Sequence, residues 1–276
     1  MSTKRSLSAI SMVLQNTQIY LESEKSKSQL LNQSEFHVDL AISREDRAKA
    51  YALGYKTYLE KGYIDANERG MLINSTDAYR DTTVFNVWSK SGKLAGTATL
   101  IFDTNEQILP CEKLFTDEVN ASKVMKGRSC EVSRLCIADD FKNSKEVLAL
   151  LINYMMIYAT YVKNCQDTFI QVNPRHVSFY SKLLEFKKIS DEKLNNSVKG
   201  APAILLHLNT FVFEERVAYY ETIDISNCHD RSLYMHFLPS ELENLAANYL
   251  LNQFQIMSEE DKIWFELDEI EIDLAF

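Results

Sequence analysis

Glycine is scarce in this chain, at seven residues of 276. So few leave almost no material for the Gly-rich loops that cradle nucleotide phosphates at helix N-termini. Long hydrophobic runs are also missing. No stretch approaches the ~20 apolar residues that a membrane helix needs, so no integral membrane segment is expected. Lys4 and Arg5 precede Leu7–Leu14, but serines break that run, unlike the continuous core of a secretory signal. Cysteine lacks a pattern: Cys111, Cys130, Cys136, Cys165 and Cys228 are odd in number and scattered, without CxxC or Cys/His ligand spacing. They read as buried thiols in a reducing, cytoplasmic setting, and they argue against a structural zinc. Positive charge is in deficit too. The net charge is −9, and the body is too poor in bases to point to nucleic acid as a partner.

What is present fits a globular chain. Hydrophobic residues make up 46% and charged residues 25%, the usual balance for a soluble fold. The length suits one large domain or two small ones and can bury a core without staples. Acidity is concentrated at the end. Eight acids and one base, Lys262, lie between Gln255 and Phe276. That segment reads as a solvated acidic helix, or as an autoinhibitory or docking tail that covers a basic patch.

The chain is organised around Ser129–Ile189. Ser129–Ala138 reads as a strand and Asp139–Ser144 as a polar elbow. Lys145–Val162 reads as an apolar helix and Thr168–Val172 as a second strand. A short helix after Asn173 and a strand near Phe186–Ile189 follow. Two strands joined through a helix form a parallel pair. Such units bind ligands beyond the carboxyl ends of their strands, here Ala138–Ser144 and Asn173–His176. Upstream, Glu35–Ile42 alternates like a strand, and Ser43 caps a helix whose Ala48, Tyr51, Ala52, Tyr55 and Leu59 share a face. Asn67–Thr83 is a polar connection containing Asp77 and Asp81. A hairpin turns at Lys90-Ser91-Gly92, and Thr104–Arg128 is a long connection with one short helix. Downstream, Ala203–Leu208 reads as a strand. Thr210–Thr222, Ser240–Gln255 and Glu259–Ile270 read as helices, with Ser240 and Glu243 as a capping box. The expected parts are a flexible or loosely helical arm (1–34), an α/β domain (35–209) and a helical C-terminal extension with an acidic tail (210–276).

This element order, with Asn173–Phe186 as an Asn…Tyr…Phe motif, resembles the GNAT acyltransferase fold: a mixed central sheet with flanking helices. Glu185 stands where that motif usually has glycine. Asp139–Lys145 contains no glycine at all, and Asp139 and Asp140 would repel a pyrophosphate. Glu131-Val132-Ser133-Arg134 is similar to the Glu-x-Ser-Arg motif of the branch that takes acyl groups from acyl carrier protein. That branch contains the acyl-homoserine-lactone synthases and the long-chain N-acyl amino acid synthases (FeeM-type). The run from Arg47 to Ile64 resembles the opening Arg…Tyr…Gly-Tyr-Ile pattern of the second group, with Gly54 in place of a usual arginine. Gly96-Thr97-Ala98-Thr99-Leu100 resembles Gly-Thr-x-Arg-Leu, with Thr99 in place of the arginine. The likeness covers about Glu35 to Leu208.

The resemblance implies an N-acyltransferase that joins a long-chain acyl group to the amine of an amino acid. The donor would be an acyl-phosphopantetheine thioester on acyl carrier protein, with no resident cofactor. Alternatives are a homoserine-lactone-type synthase and a catalytically silent acyl- or carrier-binding module. Glu131 sits on a central strand, where an unpaired acid is costly, and is the candidate general base. Its alternative is a structural pair with Arg134, although a spacing of three places the two on opposite strand faces. Arg134 is expected to take an acceptor carboxylate bidentately, or else to pair with Asp139 or Asp140. Tyr180 stands where the fold carries a phenol that protonates the leaving thiolate, and otherwise reads as core. Ser133, Arg47, Asp81, Arg175 and His176 complete the substrate-binding candidates. An N–H near Leu135–Ile137 is the expected oxyanion donor. Met155, Met156 and their neighbours are core or the lining of an acyl tunnel. Cys130 and Cys136 flank the motif, but no histidine stands in triad spacing, so they read as core. Lys142, Lys145, Lys126 and Arg128 are the expected docking bases for the acidic carrier, or solvated loop charges.

Overall fold

The computed structural model describes residues 35–104, 107–123, 127–223 and 231–268. The expected N-terminal arm, Lys126, Cys228 and the tail beyond Asp268 lie outside the described residues. The elements are β1 (Phe36–Leu40), α1 (Arg44–Glu60), β2 (Thr83–Ser89), β3 (Leu94–Phe102), α2 (Glu112–Ser122) and β4 (Arg128–Ile137). Then follow α3 (Lys145–Ile157), β5 (Cys165–Val172), α4 (Val177–Leu184), β6 (Lys187–Lys188), β7 (Lys193–Asn195) and β8 (Ala201–Asn209). The helices α5 (Thr210–Thr222), α6 (Ser240–Gln253) and α7 (Glu259–Trp264) close the described chain. The eight strands form one sheet in the order β1-β2-β3-β4-β5-β8-β6, with β7 also on β8. Neighbours are antiparallel except β4 and β5, which are parallel. This is the mixed α/β architecture that the sequence pattern predicts.

Local chemistry sets the boundaries. The Ser43 hydroxyl accepts the Asp46 N–H at 3.1 Å and starts α1, a contact worth about 1 kcal/mol. Gly96 lets β3 run under α3. A Cβ there would lie 3.0 Å from Ile137 and 3.1 Å from Val147, so a side chain would push α3 off the strand. The apolar excess of α3 has an explanation in the extension. Val147, Leu151, Met155 and Ile157 face one core cluster together with Phe213, Leu233, Ala246 and Leu250. The helices after β8 therefore cover what would otherwise be the outer side of α3.

Four expectations need correction. The buried face of α1 is Arg47, Ala50, Tyr51 and Gly54, while Ala52 and Leu59 are exposed. Gly54 packs on Leu72, and Arg47 and Tyr51 share that inward face. Ser240 does not cap α6. Its N–H and hydroxyl both go to Glu221, and Glu243 accepts a hydrogen bond from the Tyr161 hydroxyl at 2.7 Å. The helix expected over Lys145–Val162 changes to a π-turn at Tyr158–Val162. The helix expected over Glu259–Ile270 stops at Trp264, where the chain turns. No described helix is long and apolar enough to cross a membrane.

Candidate acyl-transfer site

β4 and β5 part company halfway along. Their last paired residues are Val132 and Ile170, yet β4 continues to Ile137 and stays paired with β3. The strands splay, and the β4 edge from Ser133 to Ile137 faces an opening instead of a ladder partner. Side chains from three elements line the bottom of this opening: Val132 and Leu135, Met155 and Met156, and Tyr180. The cavity among them is about 10 Å³, the volume of one solvent probe. Anything larger enters only if the flexible Met155 and Met156 side chains move aside.

The strand is also irregular where it splays. Thr99 pairs with Ser133 but Thr97 pairs with Cys136, so β4 carries one extra residue. Arg134 sits in this bulge with φ of 51°, a left-handed conformation that costs a non-glycine residue about 1–2 kcal/mol. The consequence corrects the alternation argument. Glu131 is paired with Ile101 and Ser133 with Thr99, and Arg134 Nη2 donates to Thr99 Oγ1 at 3.0 Å. The bulge thus brings Glu131 and Arg134 to the same face of the sheet. They do not pair with each other.

Glu131 is 2% exposed. It accepts the Cys111 N–H at 2.6 Å and Gln171 Nε2 at 2.9 Å. Burial raises its pKa above the ordinary carboxylate value, and those hydrogen bonds only partly oppose the shift. Arg134 is 5% exposed and forks onto Asp77, with Nη1 at 2.6 Å and Nη2 on the other oxygen. Nη1 also reaches the Leu72 carbonyl. The expected partners Asp139 and Asp140 are instead held by Lys142, Lys56 and Lys93. Lys142 and Lys56 pull Asp139 down to about 2. The guanidinium fork expected to meet an acceptor carboxylate is thus turned to Asp77. One donor, Arg134 Nε, is buried without a partner.

Beside it, among the described residues, lie two more buried polar groups that interact with each other. Arg47 Nε and the Tyr51 hydroxyl both lie on the inner face of α1. The Arg134 guanidinium sits 5.4 Å over the Tyr51 ring. Burial raises the pKa of Tyr51, and the charges of Asp77, Arg134 and Arg47 all act on it. Arg47 and Arg134 set two buried bases against Asp77, and burial keeps the carboxyl of Glu131, a further buried acid on this face, toward its neutral form. A buried positive charge in excess is costly unless an anion joins it.

The remaining candidates divide by position. Tyr180 lines the opening. Burial and then Cys136 push its phenol up to about 12. Tyr58 of α1, part of the Arg47–Ile64 run, is half-buried, and its phenol is pushed up by burial and lies near Cys136, Arg134 and Tyr180. Arg175 donates to His176 Nε2 at 3.1 Å and to the Tyr63 hydroxyl at 3.3 Å. His176 is depressed by burial and by Arg175 and Lys61. Ser133 is half-buried in the strand opposite Thr99. Asp81 is not with them. It pairs with Arg128 at 3.1 Å and Lys163 at 2.8 Å, at the start of β4 rather than its end. Arg128 therefore stands apart from the docking bases, as Asp81 does from the substrate-binding candidates. Its neighbour Lys123 is tied to Asp103 and Glu112. Lys142 and Lys145 remain exposed at the α3 end. Cys111, Cys130, Cys136 and Cys165 are free and buried. No group of three or more His, Cys, Asp or Glu among the described residues could hold a metal ion.

Comparison with known proteins follows this geometry. A search of curated proteins gives no match. The solved structure of FeeM, an N-acyl amino acid synthase from uncultured soil microbes, aligns over 68% of this chain and 98% of its own, with 21% identity and a TM-score of 0.56. The AHL synthase LasI aligns over 64% of this chain and 91% of its own, with 13% identity and a TM-score of 0.50. These likenesses show the fold. The family model for the N-acyl amino acid synthase FeeM matches residues 49–209, more than half of the chain. That span takes in both splayed strands, the Arg134 bulge and Tyr180, and with it the chain belongs to the FeeM family of N-acyl amino acid synthases.

Proposed function

We propose that this protein moves a long-chain fatty acyl group from an acyl carrier protein thioester to the amine of an amino acid. The observation that carries this reading is the buried cluster of Arg47, Arg134 and Tyr51, which sets two bases against one acid, Asp77, and in which Arg134 Nε has no partner among the described residues. A carboxylate supplies both the missing charge and the missing acceptor. The acceptor therefore enters on the α1 face, carboxylate first, with Asp77 holding Arg134 in place. The amine attacks the thioester carbonyl, a C–N bond forms, the C–S bond breaks and the thiolate departs. Glu131 takes the amine proton, directly or through water, and Tyr180 protonates the thiolate. The free edge of β4 from Ser133 to Ile137 supplies an N–H to the oxyanion.

Two features support a carrier-bound donor. The turn before α3 offers no glycine cradle, and the Ser144 hydroxyl already accepts the Val147 N–H at 3.2 Å. Asp139 and Asp140 line that turn, where a CoA pyrophosphate would have to sit. In contrast, Lys56, Lys61, Lys142, Lys145 and Arg175 are exposed around it and complement an acidic carrier. The test is direct. Purified protein is given an acyl carrier thioester or the matching acyl-CoA with a mixture of amino acids, and products are read by mass spectrometry. An N-acyl amino acid, with kcat/KM far higher for the carrier donor, is expected. Equal values for both donors would remove the carrier from the reading. A lactone would identify a homoserine-lactone-type synthase, and no acylated product would mark a silent module.

A further inference from the structure

The C-terminal segment from Ser258 to Leu267 lies outside the family-matched span and is strapped across α1. Its hold on the body is specific. Arg44 Nε donates to Asp261 at 2.6 Å and Arg44 Nη2 to Glu260 at 2.9 Å. Arg69 pairs with Glu266 at 3.1 Å and donates to the Trp264 carbonyl at 2.5 Å. Both guanidiniums lie over the Trp264 ring, at 5.6 and 5.1 Å. The helix then stops in a defined way. Glu266 turns left-handed with φ of 60°, its N–H goes to the Ile263 carbonyl, and the Leu267 N–H reaches back to Lys262. This two-bond helix ending fixes the direction of the segment. It drives Phe265 and Leu267 inward, where they are 1% and 3% exposed.

Phe265 packs edge-on against Tyr51, with ring centroids 5.2 Å apart. Tyr51 in turn carries Arg134 over its face, and its hydroxyl lies with Arg47. Phe265, Met257 and Leu267 share a small apolar cluster with Ala50 and Tyr51, against which Met71, Ile73 and Ala78 pack. Ala78 is the residue after Asp77. The strap thus covers one side of the Tyr51 ring, whose face carries the Arg134 guanidinium.

We propose that the C-terminal strap is the outer wall of the acceptor pocket, and that Phe265 is a positioning residue that sets which amino acid side chain fits. This rests on the reading that an acceptor carboxylate binds beside Arg47 and Tyr51. Phe265 acts in two ways: it limits the space above the acceptor, and it holds the Tyr51 ring so that the hydroxyl points at the carboxylate. The acids of the strap serve as its fastening to Arg44 and Arg69.

The test uses the full-length protein with Phe265→Ala and Phe265→Leu, and measures KM and kcat for a series of amino acids of rising size. Phe265→Ala is expected to raise KM about tenfold for the best wild-type acceptor, the scale at which pocket contacts discriminate. Larger side chains gain relative to it, and KM for the acyl donor stays constant. Phe265→Leu, which keeps most of the volume, recovers most of the loss. Arg69→Gln loosens the fastening without touching Tyr51 and gives a smaller shift in the same direction. Unchanged acceptor preference in Phe265→Ala overturns the proposal, as does an equal rise in both KM values. A kcat/KM that rises for every acceptor also overturns it, because the strap would then be an inhibitory cover. If Phe265→Ala does not fold, the acceptor preference of Phe265→Leu decides between the same outcomes. Wild-type protein that acylates no amino acid takes down the functional reading and this inference together. Product with an unaltered preference in the variants takes down the strap alone.

Discussion

The two faces of the sheet are built on the same strands and differ in chemistry. On β3, Ala98, Leu100 and Phe102 point toward α3 and are fully buried in an apolar cluster. Their neighbours Thr97 and Thr99 are almost as buried but point the other way. There they meet Arg134, Asp77, Glu131 and Arg47, which are all buried as well. The α3 face gains its stability mainly from apolar packing. The α1 face bears the desolvation of four ionisable side chains, and it holds only because most of their polar atoms are paired. A protein keeps such a face for chemistry, because an apolar replacement of the same shape is often at least as stable.

The largest expected effect breaks that contrast at its ion pair. Asp77→Ala leaves Arg134 buried without a counter-charge and should cost about 3–5 kcal/mol. Leu151→Ala on the dry face should cost a similar ~2–5 kcal/mol through its cavity. Urea unfolding cannot tell the two apart, but the double variant Asp77→Leu with Arg134→Met can. It should return stability to near the wild-type value while leaving acyl transfer abolished. A double variant that stays as unstable as Asp77→Ala would show that the pair holds the β4 bulge itself.

Glu131→Gln comes next. Turnover should fall by ~10²-fold or more, the usual contribution of a general base, with the fold intact and donor binding retained. The sign of the pH dependence follows from its raised pKa. Below the unfolded value, near 4.5, the carboxyl is protonated in both states and its full contribution to stability is present. As pH rises through the higher folded value, the buried group ionises and that stability is lost. The same ionisation creates the base. In the wild type, kcat/KM should therefore climb over the pH window in which stability declines, and Glu131→Gln should flatten both curves. A variant with full activity would take Glu131 out of the mechanism.

Much of this was legible in the sequence, and the limits have physical causes. The parallel pair, the hairpin and the apolar α3 follow from periodicity and length alone, since burial on one face or two leaves a direct imprint on residue order. The Arg134 bulge does not. A single inserted residue reverses every later side chain, so a spacing of three placed Glu131 and Arg134 on opposite faces when the strand puts them on one. Asp77 was visible only as one acid in a polar connection. Its pairing depends on how Asn67–Thr83 folds back over α1, which no local pattern encodes. Asp81 and Arg128 misled for the same reason: as charges near the motif they looked functional, but they pair at the far end of β4. The acids of Glu259–Asp268 are plain in the sequence, but their partners Arg44 and Arg69 lie some two hundred residues away.

The smallest expected effect concerns the rim, where neither face is exposed to the test. Lys142 and Lys145 sit beside the mouth between the splayed strands, and Lys142 already pairs with Asp139 at 2.5 Å. Reversing both to Glu should barely change stability, because exposed ion pairs contribute about 0–1 kcal/mol. It should instead slow capture of the acidic carrier. Rim charges act mainly on the association rate, and salt screens them beyond about 8–10 Å. KM for the carrier donor should rise several-fold at low salt and converge with wild type as salt is added, with kcat unchanged. The acyl-CoA donor provides the internal control, since it does not need the carrier surface. If both donors lose equally, the lysines act on the phosphopantetheine arm instead of the carrier. If neither loses, the carrier docks away from the α3 end of the sheet.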